Sequence, residues 1–239
     1  MSAEENQSIN GSHLIHLTNR WIRIDEAYTC CNLKCINSNI ANGICYTNGF
    51  VRVENDFSVR YFSTGDHLRD AAIIVYAENG FSREDALDVG YSLFYYEVTL
   101  TNMDNLAEDS FLIGLGEDNL DVYLMSNENS FTRKNIGRIP FDHNWSINDV
   151  IGCGIVYPPP YKKSGVPYVF FTINGSKIGK AIGLDYYTKN LIPMIRLERC
   201  SVTTNFGQDD FRYDANNHIL HGEDMFGYNE WSDFDSFDN

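Results

Sequence analysis

The stretch that decides the fold is Asn148–Ala181, NDVIGCGIVYPPPYKKSGVPYVFFTINGSKIGKA. Val150–Val156 is apolar and rich in β-branched residues, which suit a pleated, half-buried surface. A Pro-rich turn follows, and then a second apolar run, Val169–Ile173, ends at Asn174-Gly175. That dipeptide accepts positive φ at both central positions of a two-residue turn, so the chain should reverse tightly into Ser176–Ile182. Three antiparallel strands result, and they need an apolar partner on at least one face.

The flanking sequence supplies that partner. Ser92–Leu100 alternates, with Phe94, Tyr96, Val98 and Leu100 on one side and Tyr95, Glu97 and Thr99 on the other. Phe111–Gly116 is apolar on both faces and reads as a central strand. Val59–Phe62, Ala71–Tyr76, Val122–Met125, Leu191–Leu197 and Cys200–Phe206 are also strand-like. Ile44–Thr47 and Phe50–Val53 flank Asn48-Gly49 and read as a second hairpin of the same type. Arg83–Leu87 has room for a helical turn, and Ser126–Ser146 reads as a long polar connection. Many short strands at close spacing predict an all-β fold, a sandwich of two antiparallel sheets. Its expected core includes Phe94, Tyr96, Val98, Ile113, Leu115, Ile151, Ile155, Phe171 and Ile195.

Two extensions flank the sandwich. Residues 1–24 form a polar N-terminal arm, expected to be mobile to about Asn19 and tied down by a short strand at Trp21–Ile24. Residues 25–214 form the sandwich. Residues 215–239 mix acids with Phe226, Tyr228, Trp231, Phe234 and Phe237. That tail is either an arm packing its aromatics on the sandwich or a disordered peptide motif.

The 239 residues carry a formal charge of -15, which repels phosphate backbones and argues against nucleic acid. No apolar run approaches the ~20 residues of a membrane span, so no membrane partner is expected. The N-terminus lacks the basic and apolar regions of a signal peptide. The six cysteines are therefore read as reduced thiols in a cytoplasmic or nuclear protein.

His13, His16, Cys30, Cys31, Cys35 and Cys45 share one stretch, and His13-x-x-His16 and Cys31-x-x-x-Cys35 roughly meet zinc spacing. The alternative is a tail carrying histidines beside small buried thiols; on that reading no metal or cofactor is expected. Cys153 sits mid-strand between glycines, where a thiol packs and stays inert. Gly114-Leu-Gly116 lacks the rest of a dinucleotide fingerprint and reads as close sheet packing. Glu117, Asp118 and Asp121 lack the spacing of a calcium loop. No nucleophile elbow is present, and no enzyme activity is expected.

Several segments together resemble a known family. Tyr95-Tyr96-Glu97-Val98-Thr99-Leu100, Ile113-Gly114-Leu115-Gly116 and Asp149-Val150-Ile151-Gly152-Cys153-Gly154-Ile155 look like core strands of a SPRY (B30.2) domain. Phe170-Phe171-Thr172-Ile173-Asn174-Gly175, Pro193-Met194-Ile195 and Asn205-Phe206-Gly207-Gln208 followed by Phe211 match later strands in the same order. The resemblance covers about Arg60–Asp214. The Asn-Phe-Gly-Gln ending and Asp70-Ala71-Ala72 are most similar to the Ran-binding-protein-M type, also found in scaffold subunits of ubiquitin ligases. It implies a bent β-sandwich that binds peptides or proteins through loops at one end, as an adaptor without catalytic activity.

The resemblance also implies a partner site where loops Gly65–Arg69, Glu117–Tyr123 and Leu197–Arg199 meet. There Tyr123 would be an amphipathic anchor, Arg69 and Arg199 carboxylate partners, and Asp118 and Asp121 their opposites, with Leu197 beside them. Alternation alone equally allows Tyr123 to be a core residue. The rival readings are a lectin-like carbohydrate-binding sandwich, which the aromatic content permits, and a hydrolase on the same scaffold.

Overall fold

The computed structural model describes residues 12–25, 27, 30–36, 44–55, 57–66, 68–103, 105, 109–117, 120–133, 137–159, 166–185, 188, 190–219 and 225–226. In chain order the strands are β1 (Ser12–Leu14), β2 (Trp21–Ile24), β3 (Phe50–Glu54), β4 (Ser58–Phe62), β5 (Ile73–Ala77), β6 (Phe81–Ser82), β7 (Tyr91–Met103) and β8 (Ser110–Glu117). They continue with β9 (Leu120–Met125), β10 (Ser130–Arg133), β11 (Gly137–Pro140), β12 (Val150–Tyr157), β13 (Tyr168–Ile173), β14 (Ser176–Gly183), β15 (Asn190–Glu198), β16 (Cys200–Asn205) and β17 (Met225–Phe226). The described residues include two complete 3-10 turns, at Arg83–Asp85 and Ala215–Asn217. None is long and apolar enough to cross a membrane.

Two sheets face each other. One runs β17-β14-β13-β12-β7-β16-β4-β3, with β1 also on β7; the other runs β11-β10-β9-β8-β15-β5-β2, with β6 also on β15. All pairings are antiparallel except β1 with β7 and β14 with β17, which the two ends of the chain contribute. The nine residues expected in the core all lie between the sheets, each at most 2% exposed. Fully buried Tyr96 reaches across, and its hydroxyl donates to the Gly114 carbonyl at 2.7 Å.

The deciding hairpin forms as read. Asn174 and Gly175 have φ of 52° and 82°, the two positive values that a primed turn requires. The Asn174 side chain also donates to Asp149 at 2.7 Å and accepts from the Val150 amide at 3.0 Å, fixing β12 beside the turn. The glycines of Gly152-Cys153-Gly154 leave space for the Tyr95 ring. A Cβ at Gly152 would sit 1.9 Å from the Tyr95 hydroxyl.

The Asn48-Gly49 hairpin does not form. Ile44–Thr47 is not a strand; Phe50–Glu54 pairs instead with Ser58–Phe62, through a turn in which Asn55 has φ 50°. Gly49 is needed for close approach: a Cβ would meet the Tyr61 hydroxyl at 2.4 Å and Asp70 at 2.5 Å. The connection 126–146 holds a hairpin, β10–β11, whose Ser-Phe-Thr-Arg strand has too little apolar alternation to stand out. The arm is not mobile throughout, since Ser12–Leu14 adds to β7. Trp21 anchors the next segment, buried in the core with its Nε1 donating to Thr204 at 2.9 Å.

The outer face of β7 is buried as well. Leu93 and Tyr95 pack with Tyr168, Phe170, Phe211, Tyr213 and Ala215 in a second apolar cluster. Buried Glu97 organises it, accepting from the Tyr95 hydroxyl at 3.0 Å and from the Arg212 and Tyr213 amides at 2.9 Å each. His218 closes the layer, stacked on Phe170 at 4.1 Å, with the hydroxyls of Tyr168 and Tyr213 at its two nitrogens. Packing thus extends past Asp214, and β17 adds to β14; residues 227–239 lie outside the described set.

Burial, helped by nearby Lys177, lowers the pKa of His218 to about 4. An unfolded histidine titrates near ~6.5. The unfolded chain therefore takes up this proton first as pH falls. His218 should contribute stability fully above ~6.5 and lose it progressively down to about 4, a loss of up to about 3 kcal/mol. The check is the denaturant midpoint of wild type and His218→Gln between pH 7 and 4. The variant should lack most of this slope; equal slopes would mean that His218 is not held neutral.

Candidate functional site

One corner of the sandwich is where the chain passes from β15 in one sheet to β16 in the other. β15 ends at Glu198 and β16 begins at Cys200, so Arg199 is the single residue linking these two strands of opposite sheets, with φ 57°. The β7-to-β8 connection crosses beside it, because Met103 pairs with Cys200 and Ser110 with Glu198. Arg199 ties the crossings together: its Nε donates to Asp109 at 2.8 Å, and its Nη1 to Glu198 at 3.3 Å. The Arg199 and Asp109 side chains are 8% and 1% exposed. Burial opposes the charge on Arg199, but the Asp109 bond and the fields of Glu198 and Asp70 outweigh it and raise its pKa. The Cys200 thiol donates to the Ser110 carbonyl at 3.2 Å, and burial pushes that thiol up to about 12.

The loops around this corner are held from within. Asp70 accepts from the Ser63 hydroxyl and from the amide and hydroxyl of Thr64, at 2.9 Å each for the latter two. Burial works to raise the Asp70 carboxyl, but these donors and Arg199 lower it overall. The Gly49 amide donates to the Arg69 carbonyl at 2.9 Å, joining segment 44–49 to loop 63–70. On the other flank, Trp145 Nε1 donates to Asn129 at 2.7 Å, and the Trp145 ring meets Phe111 edge-on at 4.8 Å. His143 Nε2 lies 2.9 Å from Asp149.

On this flank lies an open recess of about 380 Å³, lined by Met103, Asp109, Ser126, Asn127, Asn129, His143, Asn144 and Trp145. Its lining includes Asp109, the acid of the corner ion pair, and Trp145. Exposed apolar side chains stand on other loops: Leu68 at 97%, Tyr46 at 89% and Leu33 at 84%. Isolated exposed apolar residues are ordinary. Here they project from loops joined at one end of the sheets, which is how a contact surface is built.

The expected partner residues divide between the two ends. Arg69, Leu197 and Arg199 lie at the corner end. The β8–β9 hairpin lies at the other, because β15 pairs Glu198 with Ser110 but Ile192 with Gly116, a strand length away. The three loops therefore do not converge. Tyr123 is no loop anchor: it lies within β9 opposite Gly114, half-buried, between Val122 and Leu124, which face the core. Asp121 pairs with Gly116 in the same strand, and Asp118 lies outside the described residues. Leu197 is fully buried. Arg199 is the corner tie rather than an exposed cation, whereas Arg69 is open to solvent and pairs with Asp66 at 3.2 Å. Sequence reasoning missed Asp109, His143 and Trp145; a tryptophan in an otherwise polar stretch was the available signal.

The cysteines separate into two kinds. Cys153 and Cys200 are buried singly, and burial pushes the Cys153 thiol well above its ordinary range. Cys30, Cys31, Cys35 and Cys45 have all four sulfurs within 4.8 Å of one another; His13 and His16 are not in this group. Burial raises Cys30 to about 12. For Cys31, burial is outweighed by the amides of Cys35 and Leu33 and by neighbouring thiols, which hold it at about 6.

No protein-family model matches the chain, and no curated protein matches it. Among solved structures it is similar to a human SPRY domain, at 16% identity over 67% of this chain and 97% of that one, with a TM-score of 0.49. It is also similar to the SPRY domain of human HERC1, at 12% identity over 70% and 100% of the two chains, TM-score 0.45. The carbohydrate recognition domain of Emp46p, in metal-free form, matches at 8% identity over 68% and 88%, TM-score 0.38.

The two arginines should behave oppositely. Arg69→Glu, at an exposed side chain, should shift unfolding free energy by no more than about 0.5 kcal/mol. Chemical denaturation checks this; a loss above about 2 kcal/mol would show that loop 63–70 is held through Arg69.

Proposed function

We propose that the chain is a non-catalytic protein-interaction module that grips a short segment of a partner protein at the corner end of its sandwich. The observation that carries this reading is the set of exposed Leu33, Tyr46 and Leu68 on loops joined to one another through the Gly49–Arg69 hydrogen bond and the clustered cysteines. Apolar anchors on a pre-ordered frame supply affinity at low ordering cost. The overall charge of -15 favours a segment that presents basic residues around an apolar one. The similarity of the SPRY-like motifs to the Ran-binding-protein-M type supports a finer proposal: a recruiting or scaffold subunit of a larger complex, such as a ubiquitin ligase.

A displayed random-peptide library selected on the immobilised chain tests this. Basic peptides with an apolar anchor should be enriched. Leu68→Asp combined with Tyr46→Asp should weaken them at least tenfold, about 1.4 kcal/mol, without lowering thermal stability. Equal binding by the variant, or displacement of the peptides by free sugars, would overturn the proposal.

A further inference from the structure

The loop between β2 and β3 gathers four of the six cysteines at one point. Cys30 and Cys45 are buried, and Cys31 and Cys35 are half-buried. The Sγ atoms of Cys31 and Cys35 are 3.5 Å apart, and those of Cys30 and Cys31 are 3.9 Å apart. Both separations exceed the ~2.05 Å of a disulfide. They bracket the edge of a sulfur tetrahedron around one metal ion: a Zn–S length near 2.3 Å gives sulfur separations of about 3.8 Å.

The backbone around the sulfurs fits a thiolate site. The amides of Leu33 and Cys35 donate to Cys31, those of Thr47 and Asn48 to Cys45, and that of Ile36 to Cys30. The Cys45 sulfur also lies 3.3 Å from the Thr47 hydroxyl. Converging N–H groups stabilise anionic sulfur. Without a cation, four thiolates in so small a space would repel one another; a divalent ion removes that conflict and releases the thiol protons.

We propose that Cys30, Cys31, Cys35 and Cys45 bind a single zinc ion as a tetrahedral tetrathiolate. Sulfur-only tetrahedral ligation selects zinc over hard cations such as calcium or magnesium. With all four ligands supplied by protein, no position remains for substrate, so the ion is structural. It pins the two ends of the loop together. It thereby fixes Leu33, between Cys31 and Cys35, and Tyr46, next to Cys45, as outward-facing side chains.

The test is elemental analysis of the full-length chain, isolated with reducing agent and without chelator, together with cobalt substitution. About one zinc per chain is expected. Cobalt should give the visible bands and near-ultraviolet thiolate-to-metal charge transfer of a tetrahedral tetrathiolate. Cys31→Ser with Cys35→Ser should abolish both signals. Because that variant could lose its local structure, the cobalt spectrum of the unaltered chain stands as an independent readout. A chain with no zinc and no cobalt spectrum, one with stoichiometric iron instead, or one with a disulfide among the four cysteines would overturn the proposal. Metal content reports on this site whatever segment binds Leu33 and Tyr46.

Discussion

The buried Arg199–Asp109 ion pair is the constraint on which this corner of the sandwich depends. One residue carries the chain from one sheet to the other, and it does so in a left-handed backbone conformation that costs a non-glycine residue of order 1 kcal/mol. Charge in so buried a place is tolerated only when paired. Asp109 supplies the pair from the second crossing, so the β7–β8 and β15–β16 connections are fixed to each other. The strands on either side then inherit their register, Met103 against Cys200 and Ser110 against Glu198.

From that corner the organisation spreads along β7. Its inner face enters the core, while its outer face, with Tyr95 and Glu97, needs a cover of its own. The segment 211–218 supplies one, drawn down by backbone amides that satisfy the Glu97 carboxylate. A buried acid and the return of the chain's end are thus one feature. The acid requires donors, and the returning backbone has amides to give. The loops at the corner end are left to face solvent on a frame that does not depend on them.

What was legible in the sequence was what local pattern encodes. Alternation placed the β7 core residues, and the same dipeptide chemistry was right at Asn174-Gly175 and wrong at Asn48-Gly49. The difference is tertiary: Gly49 is kept small by Tyr61 and Asp70, residues that sequence spacing does not bring near. The β10–β11 hairpin was hidden because its buried positions include Ser130, Thr132 and Arg133, whose polarity imitates a loop. At the candidate site, Arg69 and Arg199 look alike as letters, yet one is solvated and the other buried. Tyr123 reads from the sequence equally as a loop anchor and as a strand residue, and pairing of β9 with β8 and β10 decides for the strand. The cysteine cluster was half visible, since proximity in the chain suggested all four thiols together with His13 and His16, and only the fold leaves the histidines out.

Whether the corner is a scaffold beneath the interaction surface is measured most directly by a double-mutant cycle on unfolding free energy. Arg199→Met and Asp109→Asn, singly and together, isolate the pair while keeping most of the side-chain volume. A structural tie predicts single losses of about 3–5 kcal/mol and a coupling of about 2 kcal/mol or more. Additive, small losses below about 0.5 kcal/mol each would contradict it, and would return Arg199 to the surface as a candidate contact.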